Sequence, residues 1–260
     1  METFSAAFSA RLETRHFGRV FEVHECLDST MRRARELHAA GAPEGQLVVA
    51  LSQSAGQGRR GRTFLSPHGG LYLTLLVAPP PEPAHAWRFG FATALATRRA
   101  VLALDGPKLL FDWPNDLCLA GRKVGGILLD LRLTLDVPPM VLIGLGLNLG
   151  PDPSEIDPVV AGSAGALRGL RGPESRAGVA AALLSELEDL LPRCGDTTSW
   201  QDVLQSVRAS SLAGQGLPVT LRLADGRIVS GVGLGLGDDG SLLLRQDDGR
   251  EFSVRYAERI

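Results

Sequence analysis

Gly-Gln-Gly-Arg-Arg-Gly-Arg, residues 56–62, is the stretch that decides how the first half of this chain is arranged. Apolar runs at residues 46–51 and 71–77 flank it, and both are typical of buried strands. Glycine lets backbone N–H groups come close to oxygen atoms, and arginine presents a planar fork of donors that matches phosphate. The stretch therefore predicts an anion-binding loop between two rigid strands. Because it lacks the Gly-Lys-Ser/Thr of a Walker loop, a basic surface loop is the alternative.

Composition limits the class of protein. With 260 residues, 44% hydrophobic and 22% charged, the chain can form one large soluble domain, or one large and one small. The net charge of −2 gives no general attraction to DNA or to an anionic membrane. Three widely spaced cysteines argue against a disulfide framework or a zinc site and fit a reducing compartment. No signal peptide and no apolar run of about 18 residues is present, so we expect a cytoplasmic protein.

A second polar cluster is Trp-Pro-Asn-Asp, residues 113–116, which precedes Lys123 by seven residues. Pro-Asn-Asp predicts a turn between two strands, because proline fixes φ and asparagine tolerates positive φ. Lys123 would then open the returning strand. It is one of only two lysines, with Lys108, among 27 basic residues, which a codon bias toward arginine explains. A carboxylate at Asp116 and an ammonium at Lys123 are suited to proton transfer and phosphate binding.

Hydrophobic periodicity predicts alternating helices and strands up to about residue 210. The predicted helices span residues 31–40, 86–104 and 175–191; the predicted strands span residues 20–23, 46–51, 71–77, 109–111, 124–133 and 140–147. After residue 211, short alternating segments are separated by Asp-Gly pairs at residues 225–226, 239–240 and 248–249, which predict tight hairpins and a small separate β-barrel.

Taken together, these motifs resemble those of the biotin–protein ligases. The family pattern has Asp-Ser-Thr-Asn, Gly-Arg-Gly-Arg-Arg-Gly-Arg, Ser-Pro-x-Gly-Gly-Leu-Tyr, Lys-Trp-Pro-Asn-Asp, Lys-x-Gly-Gly-Ile and Gly-x-Gly-x-Asn. Counterparts occur here in the same order and with compatible spacing, at residues 28–31, 56–62, 66–72, 112–116, 123–127 and 144–148. Six motifs in register make a specific match, which is strong over residues 18–150.

The resemblance implies two domains. Residues 1–210 would form an α/β (α+β) catalytic domain with a mixed central β-sheet flanked by helices, and residues 211–260 the small SH3-like β-barrel of the family. Since the chain begins close to the catalytic domain, we expect the monofunctional form without a DNA-binding winged helix. The expected partner is a biotin carboxyl carrier domain of a carboxylase, with neither DNA nor a membrane; a homodimer is a further possibility.

The resemblance also implies an ATP-dependent ligase. The carboxylate of biotin would attack the α-phosphate of ATP, with Mg²⁺ accompanying the nucleotide, and pyrophosphate would leave. A lysine of the carrier domain would then take the biotinyl group. No tightly bound metal is expected. The alternatives are a lipoyl- or octanoyl-protein ligase of the same fold and a non-catalytic module that binds or senses biotin.

The resemblance places these roles on matching positions of this chain. The predicted catalytic residues are Lys123, Arg59 and Asp116, with Asp116 as the acceptor of the proton from the incoming lysine. The predicted biotin-binding residues are Ser29, Thr30, Gln53, Gly56, Gln57, Gly58, Arg59 and Lys123. The predicted ATP- and adenylate-binding residues are Arg59, Arg60, Arg62, Trp113, Asn115, Lys123 and Asn148. For Asn148, a cap at the end of a strand is the alternative.

Three positions depart from the family pattern. Met31 stands where the family has Asn, Gln57 where it has Arg, and Asp112 where it has Lys. The last two changes remove two positive charges and add one negative charge. If these side chains touch phosphate, we expect weaker ATP binding or slower adenylation; if they face away, we expect no effect.

Overall fold

The computed structural model describes residues 1–160, 162–170 and 172–260. A central sheet contains β1 (Phe21–His24), β2 (Leu47–Ala50), β3 (Leu71–Val77), β4 (Leu110–Asp112), β5 (Asp116–Leu119), β6 (Arg122–Arg132) and β7 (Met140–Leu147). A second sheet contains β8 (Pro218–Leu223), β9 (Ile228–Leu236), β10 (Leu242–Arg245), β11 (Glu251–Val254) and β12 (Ala257–Arg259). The α-helices among these residues are α1 (Glu2–Arg11), α2 (Thr30–Ala39), α3 (Arg88–Ala103), α4 (Pro153–Ile156), α5 (Pro173–Arg193) and α6 (Thr197–Ala209). None of these described helices is both long and apolar enough to span a membrane.

The central sheet is mixed, as the resemblance implies. Its strand order is β1-β2-β3-β7-β6-β5-β4; β1 runs parallel to β2, and every other neighbouring pair is antiparallel. The strands predicted on either side of residues 56–62 are β2 and β3, which pair with each other. The prediction that two rigid strands hold this loop is therefore confirmed.

Helices cover the two faces of the central sheet unequally. α1, α3, α5 and α6 pack together in the large core, which Leu75 and Ile143 enter from one face of the sheet. α2 packs over β2, β3 and β7 through a small cluster that includes Met31, Val48 and Leu142. Because alternate residues of a strand point to opposite faces, this small cluster lies on the other face. The area beside α2 on that face carries a cavity over β5, β6 and β7.

The sequence pattern does not predict α1, α4, α6, β5 or β12. α1 buries Phe4 and Phe8 one turn apart, but the residues between them are small or polar and weaken the periodicity. α6 does begin at a local N-cap, since the side chain of Asp196 accepts a hydrogen bond from the Ser199 N–H at 2.7 Å. β12 has only three residues, too few for alternation to be recognised.

The second sheet is open rather than a closed barrel. Its strand order is β11-β10-β9-β8-β12 with antiparallel pairing throughout, and the two edge strands, β11 and β12, do not pair with each other among the described residues. The side chains of Glu258 and Arg259 on β12 reach residues of the first 210 instead. The predicted hairpin turns are confirmed, with positive φ at Gly226, Gly240 and Gly249.

A buried hydrogen bond joins the first sheet to the second: the indole N–H of Trp113 donates to the carbonyl of Gly240, between β9 and β10, at 3.0 Å. The N–H of Phe111 on β4 donates to the carbonyl of Ser210, at the end of α6, at 2.8 Å. Gly240 leaves no space for a side chain, because an added Cβ would lie 2.3 Å from the ring of Trp87. The turn that carries Trp113 is therefore fixed to the second sheet as well as to the first.

Glu188 on α5 holds the segment that leads from α1 to β1. Its carboxylate accepts hydrogen bonds from the backbone N–H groups of Arg15, His16 and Phe17 at 2.6, 2.8 and 3.0 Å. Burial raises the pKa of Glu188, but the three backbone hydrogen bonds together outweigh burial and hold that pKa below its ordinary value. The ionised carboxylate therefore stabilises the fold.

We expect Glu188→Gln to lower the free energy of unfolding at neutral pH by about 1–2 kcal/mol, because an amide has one acceptor atom instead of two and no charge. Since folding lowers the pKa of Glu188, its contribution is complete above the unfolded value of about 4.3 and is lost as the pH falls through the folded value. Urea titrations between pH 3 and 7 measure this loss. Asp189→Asn, at an exposed position of the same helix, is the control, and an equal effect of both variants would contradict the assignment.

Candidate functional site

The cavity over β5, β6 and β7 has a volume of about 590 Å³. The parts of the chain that line it include the start of α2, the arginine loop (residues 56–62), the turn between β4 and β5, and β12. Strands β3, β5, β6 and β7 also contribute, together with Pro153, Val160, Ser163 and Ala164. The predicted site residues that line it are Ser29, Thr30, Gln53, Gln57, Gly58, Arg59, Arg62, Trp113, Asn115, Asp116, Lys123 and Asn148. The structure places Gly56 and Arg60 in the wall of a neighbouring cavity beside the arginine loop.

Glycines form the floor of the cavity. Gly126 on β6 and Gly146 on β7 are cross-strand partners, and Gly144 lies two residues before Gly146 on the same face. The ring of Phe64 lies directly on this floor: a Cβ added at Gly146 would be 2.5 Å from it, and one added at Gly126 would be 3.3 Å away. Because these positions have no side chains, there is room above the sheet for an aromatic ring and for a ligand.

One end of the cavity is a chain of polar groups. Gln53 is its centre: its Oε1 accepts hydrogen bonds from the N–H and the hydroxyl of Thr30, at 2.8 and 3.2 Å. Its Nε2 donates to Ser66 Oγ at 2.8 Å. Thr74 on β3 donates to the hydroxyl of Thr30 at 2.9 Å. These bonds fix the orientation of the Gln53 amide and leave one of its two N–H groups for another partner.

Ser29 has a buried hydroxyl that none of the described residues satisfies. It occupies the N-cap position of α2, as predicted, but its side chain makes no capping hydrogen bond. Its Oγ is fully buried, has no partner among the described residues, and lines the cavity. A buried hydroxyl without a partner costs about 1–3 kcal/mol, so this group is a ready donor or acceptor for a ligand.

The arginine loop has a defined hairpin-like conformation. The N–H of Gly58 donates to the carbonyl of Arg62 at 2.7 Å, and the N–H of Phe64 donates to the carbonyl of Gly56 at 2.8 Å. A Cβ at Gly56 would lie 2.4 Å from the carbonyl oxygen of Phe64, so only glycine fits there. Arg60 has a φ of 55°, which a tight reversal of the chain requires.

The arginines of this loop point in different directions. Arg59 is half-buried in the cavity wall, and its Nη1 donates to Asn115 Oδ1 at 3.1 Å. Burial, together with the charge of neighbouring Arg60, lowers the pKa of Arg59, although it stays protonated at neutral pH. Arg60 and Arg62 are exposed and pair with Glu258 of β12, with an N–O separation of 3.8 Å for Arg60. Arg59 is thus the half-buried cation of the loop in the cavity wall, while Arg62, which also lines the cavity, is exposed and paired with Glu258.

Lys123 and Asp116 meet as predicted, on neighbouring strands. Lys123 Nζ lies 2.7 Å from Asp116 Oδ1 and 5.8 Å from the centroid of the Phe64 ring. The prediction that Lys123 opens the returning strand is wrong, because β5 returns from the turn and Lys123 belongs to β6, the next strand. The carboxylate and the aromatic face together hold the ammonium at the cavity.

Asn115, Asn148 and Trp113 have further partners within the fold. The amide of Asn115 donates to the Ile127 carbonyl at 3.1 Å, and that of Asn148 donates to the Gly165 carbonyl at 2.9 Å. Asn148 Oδ1 is buried without a partner among the described residues and lines the cavity. Asn148 therefore caps the end of a strand through its amide N–H and keeps its Oδ1 as an acceptor without a partner among the described residues. The indole N–H of Trp113 donates to Gly240, at the joint between the sheets.

Each of the three departures from the motifs is engaged by another part of the chain. Met31 is buried in the cluster under α2, where its methyl group would be 2.8 Å from a Cβ at Gly144. Gln57 Oε1 accepts a hydrogen bond from Arg35 of α2 at 2.9 Å. Asp112 forms an ion pair with Arg259 of β12.

Some residues of the cavity wall are not among the predicted ones. Ser66, which supports Gln53 rather than lining the cavity, lies inside a quoted motif. Thr74 is a single polar residue of the wall that follows Tyr72 by two in an apolar strand, so both had a local signal. Glu258 and Arg259 had none, because only the packing of the second sheet brings them to the cavity.

Comparisons with known proteins identify the family. A family model described as the biotin/lipoate A/B protein ligase family matches residues 23–148. The bifunctional ligase/repressor BirA of Bacillus subtilis is 31% identical over 241 residues, which cover 92% of this chain and 73% of that protein. A biotin–[acetyl-CoA-carboxylase] ligase of Paracoccus denitrificans is 31% identical over 235 residues, which cover 86% of this chain and 93% of that protein. The chain belongs to the biotin–protein ligase family.

Solved structures show the same fold. The biotin protein ligase from Aquifex aeolicus, in complex with biotin and ATP, superimposes with a TM-score of 0.76 at 24% identity, covering 93% of this chain and 98% of that one. At this identity the likeness describes the fold of a biotin–protein ligase and not the roles of single residues.

Two buried serines of this biotin–protein ligase provide a matched test of the polar end of the cavity. Ser66→Ala removes an acceptor for Gln53 and a donor to the Phe64 carbonyl, so we expect the free energy of unfolding to fall by about 1–2 kcal/mol. Ser29→Ala removes a hydroxyl without a partner among the described residues, so stability should stay the same or rise. Urea titration of both variants decides: an equal loss in both would mean that Ser29 has a partner within the fold.

Proposed function

We propose that this chain is an ATP-dependent biotin–protein ligase. It would form biotinyl-5′-AMP from biotin and ATP and transfer the biotinyl group to a lysine of a biotin carboxyl carrier domain of a carboxylase. The observation that carries the proposal is one cavity with a neutral polar end, at Ser29 and Gln53, and a charged end, at Arg59, Lys123 and Asp116. A ligand with a polar neutral head and a carboxylate tail matches these two ends.

The neutral end suits the cyclic urea of biotin. Ser29 offers a hydroxyl without a partner in the described chain, and Gln53 offers an N–H fixed by the bonds of its own Oε1. Thr30 and Thr74 hold that amide in place from α2 and β3. The apolar ring atoms of biotin would lie over the glycine floor, beside Phe64.

The first step joins two anions. An oxygen of the biotin carboxylate forms a bond to the α-phosphorus of ATP as the bond to the bridging oxygen breaks, and pyrophosphate leaves. Fixed positive charge lowers the barrier of such a step, because negative charge builds up on the phosphoryl oxygens. Lys123 and Arg59 would supply that charge from the wall of the cavity, and Asp116 holds Lys123 in place.

In the second step the amine of the carrier lysine attacks the acyl carbon of the adenylate, and AMP leaves with the electrons of the broken bond. A free lysine has a pKa of about 10.4, so it must lose a proton before it attacks. Asp116 is the proposed acceptor, since it lines the cavity next to Lys123. The arginine loop and Phe64 would keep water from the anhydride.

The finer assignments belong to the same proposal. We assign residues 1–210 to the catalytic domain and residues 211–260 to an SH3-like domain, whose sheet is open in this structure. The individual roles of the site residues follow from their positions around the cavity. Homodimer formation, the absence of DNA binding and a cytoplasmic location stay predictions.

The proposal is tested by incubating the protein with biotin, ATP and Mg²⁺ and measuring pyrophosphate with and without a biotin carrier domain. A ligase releases pyrophosphate over many turnovers only when carrier is present, and mass spectrometry finds the label on one carrier lysine. Biotin binding without pyrophosphate would point to a sensing module. A preference for octanoate or lipoate in place of biotin would point to the other ligase class.

We expect Lys123→Gln to lower the rate of biotin-dependent pyrophosphate release by about 10²–10³-fold, because it removes one fixed charge from the transition state. Lys108→Gln is the matched control, since Lys108 is the other lysine of the chain and is exposed outside the cavity. Stopped-flow or single-turnover measurement at saturating ATP and biotin gives the rate. Equal rates in the two variants would remove Lys123 from the mechanism.

We expect Gly146→Ala to weaken biotin binding at least about tenfold with little change in melting temperature. The new methyl group would lie 2.5 Å from Phe64, so the ring moves into the open cavity and takes the space of the ligand. Titration calorimetry with biotin measures the affinity. Gly169→Ala is the control, because an added Cβ meets no described atom within 4 Å there. Unchanged affinity in Gly146→Ala would mean that biotin does not use this floor.

A further inference from the structure

Two carboxylates face each other across the hairpin of β4 and β5. Asp112 and Asp116 are direct cross-strand partners at the two ends of the turn, and both line the cavity. Like charges at directly opposed positions repel each other. Burial raises the pKa of Asp112 above its ordinary value, although the charge of Arg259 and its hydrogen bond to the carboxylate oppose that effect.

The two carboxylates have separate cations. Asp116 pairs with Lys123 from β6, while Asp112 pairs with Arg259 from β12 of the second sheet. The four side chains thus form a row in which each carboxylate is flanked by its own cation, and all four line the cavity. The charge of Lys123 also acts on Asp112, so without Arg259 this carboxylate would compete with Asp116 for the ammonium that the first step needs.

Arg259 is held in place independently of the first sheet. β12 pairs with β8, with Arg259 opposite Leu221 and Ala257 opposite Leu223. Both groups of this ion pair are partly accessible, with about a third of the Arg259 side chain and a fifth of the Asp112 side chain exposed. The family motif Lys-Trp-Pro-Asn-Asp has a lysine at the position of Asp112. In this chain the cation beside that position is Arg259, which comes from the second sheet.

We propose that Arg259 is a positioning residue for adenylation: by pairing with Asp112 it leaves Lys123 to Asp116 and keeps an unpaired carboxylate away from the phosphates of ATP. The inference rests on the proposed function. It predicts that the second sheet is part of the nucleotide site. It also predicts that the rise in the KM for ATP on loss of Arg259 comes entirely from the unpaired carboxylate of Asp112.

The experiment is a double-mutant cycle on the full chain. Arg259→Ala should raise the KM for ATP about tenfold or more, with a smaller change in kcat for biotin-dependent pyrophosphate release. In the background of Asp112→Asn, the same Arg259→Ala change should alter that KM by less than twofold. Arg259→Lys, which keeps the charge, should stay within about threefold of the natural chain. Arg250→Ala is the control, because Arg250 pairs with Asp248 on the surface, in the hairpin that leads to β11.

Other results overturn the inference. An equal rise in KM in both backgrounds would mean that Arg259 acts directly on the nucleotide or through the fold, and melting curves of the four proteins separate these two cases. No rise in either background would mean that the ion pair has no role. The affinity for ATP, measured by calorimetry, provides a second readout of the same cycle. If the natural chain binds ATP but releases no pyrophosphate, the proposed function fails, and the ATP affinities of the four proteins still test the role of Arg259. If it does not bind ATP, both fail.

Discussion

Gly126, Gly144 and Gly146 stand close together on β6 and β7, on the face of the central sheet where α2 also packs. A sheet that is buried on both faces normally fills such positions with branched side chains. Here the missing side chains leave a hollow directly on the backbone, and the arginine loop, Phe64, the turn at Trp113, the start of α2 and β12 surround it. The ring of Phe64 depends on that hollow, because a Cβ at Gly146 would lie 2.5 Å from it.

The charged groups around the cavity depend in turn on how these segments are held. Arg59 faces the interior through its bond to Asn115, while Arg60 and Arg62 are turned toward Glu258. The loop is therefore braced on two sides, by the turn between β4 and β5 and by β12. Because the same turn is bonded to Gly240 in the second sheet, the two sheets cannot separate without changing the charge balance of the site.

The sequence predicted the elements and motifs whose residues lie close together along the chain. Strands β2, β3 and β7 and helices α2, α3 and α5 have strong periodicity, and the loop and turn motifs placed Lys123, Asp116 and Arg59 correctly around one cavity. The predicted small β-barrel appears as a five-stranded sheet that is open in this structure, and its edge strand β12 contacts Arg62 and Asp112 through Glu258 and Arg259. The partners of Asp112 and Gln57 were also beyond sequence reasoning, because Arg259 and Arg35 come from elements distant in the chain.

The joint between the two sheets has an optical consequence. The protein has three tryptophans, and all of them belong to this joint: Trp113 donates to the Gly240 carbonyl, Trp87 lies against Gly240, and Trp200 stacks edge-on against Trp87 at 5.4 Å. Indole emission responds to the local field and to contact with water. The intrinsic tryptophan fluorescence of the chain therefore reports on the joint between the two sheets. Because Trp113 also lines the cavity, the same signal is sensitive to changes in the cavity wall.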